Sequence, residues 1–398
     1  MGDSIKSPCV SVLVPIYNME RYLGQCLDSL VGQSRSDIEI LCLDDGSTDA
    51  SATILSDFAA HDSRMRVISH DNHGYGWTLN HGMDQAQGEF IGIVESDDWV
   101  ELNMFEALYR AASMADADMA KCNFYLEWTR PPTRQRLYRY FSEEDDGSVI
   151  CPREDPAGCL FRKKPTVWSA IYRKSFLDEN RIRFLETPGA SFQDTSFSFK
   201  TLWLADRVAC LATPYVHYRQ DNEASSINAK DKAYCVCDEY EEIERFLGNF
   251  PESGGFAARV LAHMIYDTFM WNYARLGPSL KPAFLDVASQ WFRRLLNEGV
   301  DWADFTQDKR TNFRVIAFAP TVYSGWKQTG GHPARTTLVS TVKKWVRSVV
   351  PPSRTRFNAS MRSLTRQVEA LQITVDELVR QNNELLHRTR SPGRTDGE

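Results

Sequence analysis

The stretch IGIVESDDWV, residues 91–100, decides the fold because an apolar run ends abruptly in clustered acids. The apolar half is typical of a buried strand, and Glu95, Asp97 and Asp98 follow where that strand ends. Carboxylates packed this closely must be neutralised by protonation or by a cation. Hard oxygen ligands of this kind favour Mg²⁺ or Mn²⁺. The stretch therefore predicts a strand that leads directly into a divalent-cation site.

The same pattern of short apolar runs and amphipathic segments extends over the first 125 residues. Continuous apolar strands separated by helices of about 10–15 residues are typical of right-handed βαβ units. Because the strands are not alternating, they indicate a sheet covered on both faces. The sequence predicts an α/β fold with a mostly parallel sheet and flanking helices. The predicted strands are 9–15, 38–43, 66–69 and 90–94, and the predicted helices are 20–31, 49–60 and 77–86.

A second acidic motif, DDGSTD, begins with Asp44 and Asp45 after the second predicted strand. Ligands of an open parallel sheet bind beyond the carboxyl ends of its strands, so both acidic motifs are expected at one edge. A metal held there by one or two carboxylates suits a diphosphate. Alone, DDGSTD is also typical of a turn with a helix N-cap, and SDDW of a capped helix start. The two motifs together, with PIYN after the first strand, favour one shared site.

The composition describes a globular chain of 398 residues, long enough for two or three compact units. A net charge of −7 argues against general nucleic-acid binding. Nine scattered cysteines without a CxxC pair are typical of reduced, mostly buried thiols. The start lacks the apolar core of a signal peptide, and no apolar run approaches about 20 residues. We therefore expect a cytoplasmic protein.

The later part of the chain is less uniform. Residues 126–165 are charged and irregular, which suggests a surface excursion. A strand over 168–172 and a helix over 194–205 follow, and residues 232–298 are strongly helical in pattern. These features predict that a helical region follows the α/β domain.

The C-terminal part contains two amphipathic segments. Residues 335–350 combine apolar and basic positions, which suits either peripheral contact with an anionic membrane on the inner face of the plasma membrane or packing on the catalytic domain. From Phe357 to Leu385 apolar residues recur every 3.5 positions, as in a coiled coil, with Asn382 at an a position. Its e and g positions carry no charge, so a homo-oligomer is the simplest expectation, and a helix folded back on its own domain is the alternative.

Four ordered motifs resemble the family 2 glycosyltransferases with the Rossmann-like GT-A fold. They are VSVLVPIYN (10–18), EILCLDDGSTDAS (39–51), GEFIGIVESDDWV (88–100) and FQDTSF (192–197). The resemblance covers residues 8–225. Within the family, the chain resembles the bacterial enzymes of cell-surface polysaccharide synthesis. We expect a GT-A domain at 8–230, a helical region at 231–328, the basic amphipathic segment at 334–352, the coiled coil at 356–390 and a disordered tail at 391–398.

The resemblance implies roles for the residues that bind the donor. Pro15 and Tyr17 would line the nucleotide-base pocket, and Asp45 would hydrogen-bond the base, usually uracil. The Asp-X-Asp motif of the family falls on 95–97, so Glu95 or Ser96 would face the ribose. Here Glu95 stands in place of the commoner Asp and keeps the negative charge.

Metal and acid–base roles follow from the same resemblance. Asp97 would be the metal ligand, and Asp98 is a further candidate. The general base would be Asp194 in FQDTSF, whose alternative role is the N-cap of its helix. Arg219, in the segment 215–227 that folds over the donor site, would meet a phosphate or lie on the surface. Leu79 stands where many relatives have Arg, so a phosphate or structural contact is missing or supplied elsewhere.

The implied activity is an inverting, metal-dependent transfer from a nucleotide-diphosphate sugar, a UDP-sugar by resemblance, to a hydroxyl of a glycan or lipid-linked acceptor. One base and one metal suit direct displacement, and nothing in the sequence singles out a second carboxylate as nucleophile. The alternative is a non-catalytic scaffold with the same fold that assembles partner enzymes through its helical region and coiled coil. Retention of Asp45, Asp97 and Asp194 favours the enzyme. A nucleotidyltransferase fits less well, because PIYNMER is not a Gly-rich phosphate loop.

Overall fold

The computed structural model describes residues 7–222, 233–300 and 304–329, with side chains to residue 325. The chain divides into two compact units, residues 1–275 and 276–398. The predicted domain boundaries stay a prediction. The basic amphipathic segment, the coiled coil and the C-terminal tail lie outside the described residues.

The first unit is built on one ten-stranded sheet. Its main path has the order β3-β2-β1-β4-β9-β6-β10-β5, with β7 paired to β6 and β8 paired to β10. The strands are β1 (Val10–Ile16), β2 (Ile38–Asp44), β3 (Met65–Ser69), β4 (Phe90–Ile93), β5 (Trp99–Val100), β6 (Met119–Trp128), β7 (Arg134–Tyr138), β8 (Val149–Ile150), β9 (Ala170–Arg173) and β10 (Val208–Arg219).

The parallel half of the sheet confirms that the two acidic motifs share one edge. Strand β1 lies between β2 and β4 and runs parallel to both. Ile16 pairs with Asp44 at one side of β1, and Leu13 pairs with Ile93 at the other. All residues of these three strands are buried, as their continuous apolar sequences predict. The chain segments after all three strands therefore emerge together.

The prediction of a mostly parallel sheet is wrong for the second half, and the sheet is mixed. Strand β9 pairs antiparallel to both β4 and β6, while β6 and β10 are parallel to each other. The short β5 pairs antiparallel to β10. Strand β9 lies between β4 and β6 and so joins the two halves of the sheet. The resulting mixed α/β sheet places the end of β10 beside the acidic residues that follow β4.

Helices flank the sheet of the first unit, and further helices of this unit follow the last strand in the chain. Helices α1, α2 and α3 confirm the three predicted in the first half, within a few residues at each end. The helices of this unit are α1 (Leu23–Val31), α2 (Ser51–Ala59), α3 (Tyr75–Gln85), α4 (Met104–Met114), α5 (Lys174–Glu179), α6 (Gln193–Leu204), α7 (Cys235–Leu247) and α8 (Gly254–Arg275).

The described part of the second unit is helical, as the sequence predicts. It contains α9 (Lys281–Asn297), α10 (Gln307–Phe318) and α11 (Pro320–Thr329). Phe292 of α9 stacks on Phe313 of α10 with ring centroids 4.0 Å apart, and Ser289 donates to the carbonyl of Ala317. Across both units, no helix of the described residues is long and apolar enough to cross a membrane.

Candidate active site

Asp45 joins the end of β2 to the start of α3. Its Oδ1 accepts a hydrogen bond of 2.7 Å from the backbone N–H of His73, and its Oδ2 accepts one of 3.0 Å from that of Gly74. The side chain of Asn72 donates to the Asp45 carbonyl. Two backbone donors therefore fix the carboxylate of Asp45 beside the N-terminus of a helix, where a negative charge is favoured.

The loops after β1 and β2 are linked to each other by side chains. Asn18, in the left-handed region with φ of 54°, accepts a hydrogen bond from the backbone N–H of Thr48 and donates its own to Ser47 Oγ. Asp44 accepts from the backbone N–H of Ser47, which confirms the turn alternative for that residue. The links fix the segment that carries Tyr17, whose side chain is 48% exposed directly after β1, while Pro15 is buried within that strand.

Glu95, directly after β4, is held by Tyr75 at the start of α3. The Tyr75 hydroxyl donates a hydrogen bond of 2.6 Å to Glu95 Oε1. Burial raises the pKa of Glu95 to about 8, and the charges of Asp97 and Asp194 act in the same direction, whereas the Tyr75 hydrogen bond lowers it. The adjacent Ser96 is buried. Glu95 is therefore oriented by a protein partner, and its predicted ribose contact stays a prediction.

Asp97 and Asp98 differ in exposure. Asp97 is partly exposed and accepts a hydrogen bond of 2.8 Å at Oδ2 from Asn222, whereas Asp98 is 1% exposed. Asp98 Oδ1 accepts from the backbone N–H of Arg219, but its buried Oδ2 has no hydrogen-bond partner among the described residues. Burial raises the pKa of both carboxyls. The alternative of a helix starting at SDDW is wrong, because the short strand β5 follows it.

Arg219 lies inside this acidic turn, so the alternative of a surface arginine is wrong. Its side chain is 7% exposed, and its Nε donates to the carbonyl of Asp97. The two terminal nitrogens donate to Thr129 Oγ1 and Gln25 Oε1. The guanidinium also lies over the rings of Tyr22 and Trp99, at 4.7 and 4.9 Å from their centroids. These contacts hold the loop after β4 against the end of β10, and the predicted phosphate contact of Arg219 stays a prediction.

Asp194 lies in the first turn of α6. The N-cap alternative is wrong, because Phe192 is the N-cap and Asp194 is the second helical residue. Burial raises the pKa of Asp194 from 3.8 to about 6, and the Lys164 ammonium and a hydrogen bond from Thr195 act against that rise. A carboxyl with a pKa near neutrality can exchange a proton at physiological pH, which a general base requires.

The start of α6 is connected to the start of α3. Gln193 donates to Thr187 Oγ1 and the Gly189 carbonyl, and that carbonyl also accepts from the backbone N–H of Tyr75. Gly74, with φ of 92°, leaves no room for a side chain, because a Cβ there would lie 2.7 Å from the Gly189 nitrogen. Gln193 thus serves as a structural anchor for this loop.

Lys164 is a functional candidate that the sequence analysis missed. Its backbone is fixed, since its N–H donates to the Tyr138 hydroxyl and its carbonyl accepts from the Tyr140 hydroxyl. Its ammonium lies 5.0 Å from the centroid of the Tyr218 ring. Burial lowers the pKa of Lys164, while the charges of Asp194 and then Asp98 raise it. The segment 126–165, expected to be a surface excursion, therefore brings a cation to the acids.

Tyr218 indicates that the acids after β4 and the acid at the start of α6 lie in one electrostatic environment. Burial, and after it the charges of Asp98, Asp97, Asp194 and Glu95, raise the pKa of the Tyr218 hydroxyl well above its usual value. Asp45 lies outside this group. Its hydrogen bonds to the segment before α3, together with the bond from Tyr75 to Glu95, connect it to the other acids. The structure thus brings four predicted acids together and connects the fifth to them through Gly74 and Tyr75.

The donor set fits a divalent cation held in part by other ligands. No group of three or more His, Cys, Asp or Glu side chains in the described ranges could by itself hold a metal ion. Asp98 Oδ2, buried without a hydrogen-bond partner among the described residues, and the partly exposed carboxylate of Asp97 are hard donors, and burial disfavours the charged form of both groups. Mg²⁺ is commonly bound by one or two carboxylates with phosphates and water completing its shell. Asp97 and Asp98 match that arrangement.

Bacterial proteins are among those with similar sequences. EpsH of Bacillus subtilis (strain 168) is 34% identical over 220 residues, which are 54% of this chain and 62% of EpsH. The uncharacterized glycosyltransferase EpsJ of the same strain is 31% identical over 219 residues, which are again 54% of this chain and 62% of EpsJ. The chain thus matches less than two thirds of the length of either relative.

A solved structure extends the comparison to the fold. The crystal structure of S. aureus TarS 1–349 in complex with UDP-GlcNAc superposes with a TM-score of 0.62 at 18% identity, covering 82% of this chain and 93% of that one. At this identity the match concerns the fold alone. The family model described as glycosyl transferase family 2 matches residues 11–203, which contain Asp45, Glu95, Asp97, Asp98 and Asp194. Residues 11–203 therefore form a glycosyl transferase family 2 domain, and the chain shares its fold with TarS.

Proposed function

We propose that this protein is an inverting, metal-dependent glycosyltransferase that moves a sugar from a nucleotide-diphosphate donor to a hydroxyl of a glycan or lipid-linked acceptor. The observation that carries the proposal is the position of Asp194, a carboxyl with its pKa raised to about 6, in one electrostatic environment with Asp97 and Asp98. A proton acceptor and a metal-binding pair are the two parts that such a transfer needs.

Donor binding would use the edge formed by the ends of β1, β2 and β4. Tyr17 is exposed at this edge and has an aromatic face for a nucleobase. The backbone donors that fix the Asp45 carboxylate leave lone pairs on both oxygens for a base N–H. A UDP-sugar is the donor that the family resemblance implies, and TarS, which shares the fold, was solved with UDP-GlcNAc.

Asp97 and Asp98 would hold Mg²⁺ or Mn²⁺ together with the donor phosphates. When bound, the cation supplies charge stabilisation to the nucleoside diphosphate as it leaves. The chain itself orients these carboxylates through Asn222 and the backbone of Arg219. The Arg219 guanidinium, enclosed between Tyr22 and Trp99, fixes the loop in which both acids lie.

Asp194 would remove the proton from the acceptor hydroxyl as that oxygen attacks the anomeric carbon. Its ionised form is needed for this step, and the ammonium of Lys164 favours that form. Direct attack from the side opposite the leaving group inverts the anomeric centre. Lys164 and Tyr218, which contact each other and interact electrostatically with Asp194, would limit the water around the reacting hydroxyl.

The proposed acceptor, membrane contact and oligomeric state rest on the sequence and on its resemblance to bacterial enzymes of cell-surface polysaccharide synthesis. We include in the proposal a lipid-linked or glycan acceptor, peripheral membrane contact through residues 334–352, and homo-oligomers formed through the coiled coil at 356–390. These segments lie outside the described residues, so their roles are inferred from sequence alone.

The proposal is tested by thermal-shift titration of the full-length chain with UDP-, GDP- and dTDP-sugars, each with and without Mn²⁺. A ligand that binds only the native state raises the melting temperature. We expect a UDP-sugar to stabilise the protein, and Mn²⁺ to increase the effect in the wild type but not in Asp97→Asn. Asp116→Asn, which changes a carboxylate that is 94% exposed on the surface, is the matched control.

The outcomes separate the enzyme from the scaffold alternative. A scaffold that retains only the fold would show no nucleotide-sugar stabilisation and no release of UDP. Stabilisation by a nucleotide sugar without any metal effect would contradict the metal assignment but leave the donor assignment in place. Failure of every nucleotide sugar to bind would overturn the proposed function.

A further inference from the structure

A partly exposed cluster of two aromatic rings and one arginine includes the residue that precedes the helix carrying Asp194. It consists of Phe192, Trp271 and Arg275, which we call the aromatic rim. The Phe192 and Trp271 rings are 5.9 Å apart at an interplanar angle of 84°, and the Arg275 guanidinium lies 5.2 and 5.4 Å from their centroids. Phe192 immediately precedes α6, two residues before Asp194. The rim therefore includes the N-cap residue of the helix whose first turn carries the proposed general base.

Trp271 is an unusual residue for its helix. In α8 the neighbouring Phe269 and Asn272 are fully buried, whereas Trp271 is 44% exposed. Asn272 donates to the carbonyl of Ala233, which brings the exposed ring of Tyr234 to the same helix end. Large exposed aromatic surface next to a catalytic group is typical of a ligand-binding surface.

Phe192 has a backbone conformation that is energetically unfavourable for a bulky residue. Its φ of 63° lies in the left-handed region, which a bulky residue rarely adopts. Its carbonyl accepts from the backbone N–H of Thr195, and the anchored side chain of Gln193 fixes the next residue. Such conformations persist where the surroundings enforce them, and they concentrate at functional sites.

We propose that the aromatic rim binds the acceptor, with a pyranose ring of the glycan stacked on Trp271 so that one of its hydroxyls reaches Asp194. The C–H groups on one face of a pyranose form an apolar surface that matches an aromatic ring, while its hydroxyls require polar partners. Arg275 supplies donors at the edge of the rim. The donor is excluded as the occupant, because its expected residues lie at the ends of β1, β2 and β4. This inference rests on the proposed function and specifies the acceptor side of the same site.

The location of Trp271 also explains why the family motifs do not reveal this surface. The family match ends at residue 203, whereas α8 spans Gly254–Arg275. Acceptor recognition would thus combine Phe192 of the family domain with a helix that follows it. A chain can then vary its acceptor through α8 while its donor edge and its base stay unchanged.

The test is saturation-transfer-difference NMR on the full-length protein with saturating UDP and Mn²⁺, so that the donor site is filled. The probes are methyl β-glucopyranoside, methyl β-galactopyranoside and methyl N-acetyl-β-glucosaminide. We expect at least one probe to show transfer to the protons of one ring face. Trp271→Ala should weaken its binding roughly tenfold, the effect of losing about 1.4 kcal/mol of contact energy. Trp271→Phe should restore most of it.

Trp128→Ala is the matched control, because Trp128 is another partly exposed indole with an arginine, Arg134, at 4.3 Å over its ring. UDP binding, followed by thermal shift in the same samples, should be unchanged in every variant. Unchanged probe binding in Trp271→Ala, or no probe binding to a wild type that binds UDP, would overturn the inference and leave the proposed function intact. Failure of the wild type to bind UDP, GDP and dTDP alike would instead contradict the proposed function.

Discussion

The hydroxyl of Tyr75 donates a hydrogen bond of 2.6 Å to Oε1 of Glu95 and so joins the start of α3 to the end of β4. The same segment that begins α3 also donates two backbone N–H groups to Asp45. One short stretch of chain therefore orients the acids that follow β2 and β4, the strands on either side of β1. Its integrity should matter for nucleotide-sugar binding even though Tyr75 itself need not touch the ligand.

Tyr75→Phe removes this hydrogen bond and keeps the ring. Glu95 then loses the donor that orients it, and we expect nucleotide-sugar affinity to fall by about tenfold, in line with a net hydrogen-bond contribution of about 1 kcal/mol or slightly more. Isothermal titration calorimetry with the UDP-sugar measures the change. The control is Tyr109→Phe, which removes an exposed hydroxyl that donates to Glu89 in the same way. Equal affinities of Tyr75→Phe and wild type would contradict the orienting role.

Asp194→Asn keeps the size of the side chain but removes its ability to accept a proton. We expect the rate of transfer to fall by about 10²- to 10⁴-fold, the usual contribution of a general base. Nucleotide binding should stay nearly intact, because Asp194 belongs to α6 and not to the donor edge. Asp206→Asn, at a side chain 75% exposed after the same helix, is the control. A mutant that transfers sugar at the normal rate would show that Asp194 is not the base.

The pH dependence of the reaction should follow the ionisation of Asp194. Its pKa is raised to about 6, so the carboxyl becomes protonated and inactive as the pH falls through that value, and kcat/KM should decline there. Lys164→Met removes the cation that favours the ionised form, so the pKa should rise further and the acidic limb should move to higher pH. Lys163→Met, whose ammonium contacts only the Arg139 carbonyl in the described structure, is the control. An unmoved acidic limb in Lys164→Met would refute the coupling.

Arg219→Ala should act mainly on stability. The substitution removes three side-chain hydrogen bonds and a cation that favours the ionised form of buried Asp98. We expect the free energy of unfolding to fall by about 3 kcal/mol, which chemical denaturation can measure. Arg245→Ala, at a side chain 69% exposed on α7, should change it little. Unchanged stability combined with lost nucleotide binding would instead indicate the direct phosphate contact.

The sequence predicted the first half of the fold well because its signals are local. Strands β1, β2 and β4 are continuous apolar runs, and each ends at a motif that the sheet places at one edge. Strand β10 carried no such signal, since Pro214 and a register shift on either side of it interrupt the ladder with β6. The reversal of direction at β9 depends on which strands pair, and periodicity does not encode that.

The same distinction applies to the site. Asp97, Asp98 and Asp194 were found because they lie in short motifs, whereas Lys164 lies in an irregular segment and becomes relevant only through the hydroxyls of Tyr138 and Tyr140 that fix its backbone. The enclosed position of Arg219 depends on Gln25 and Thr129, which are about 194 and 90 residues away along the chain. Contacts over such separations are set by tertiary packing, which a single sequence does not report.

The close approach of Gly74 to Gly189 limits which positions of this protein can accept substitutions. Any larger residue at 74 would push the 187–189 loop outward and displace the first turn of α6, although neither glycine has a reactive group. Random mutagenesis should therefore recover inactive but folded variants at this junction. A library intended to alter sugar preference is best confined to surfaces such as α8, with both glycines left untouched.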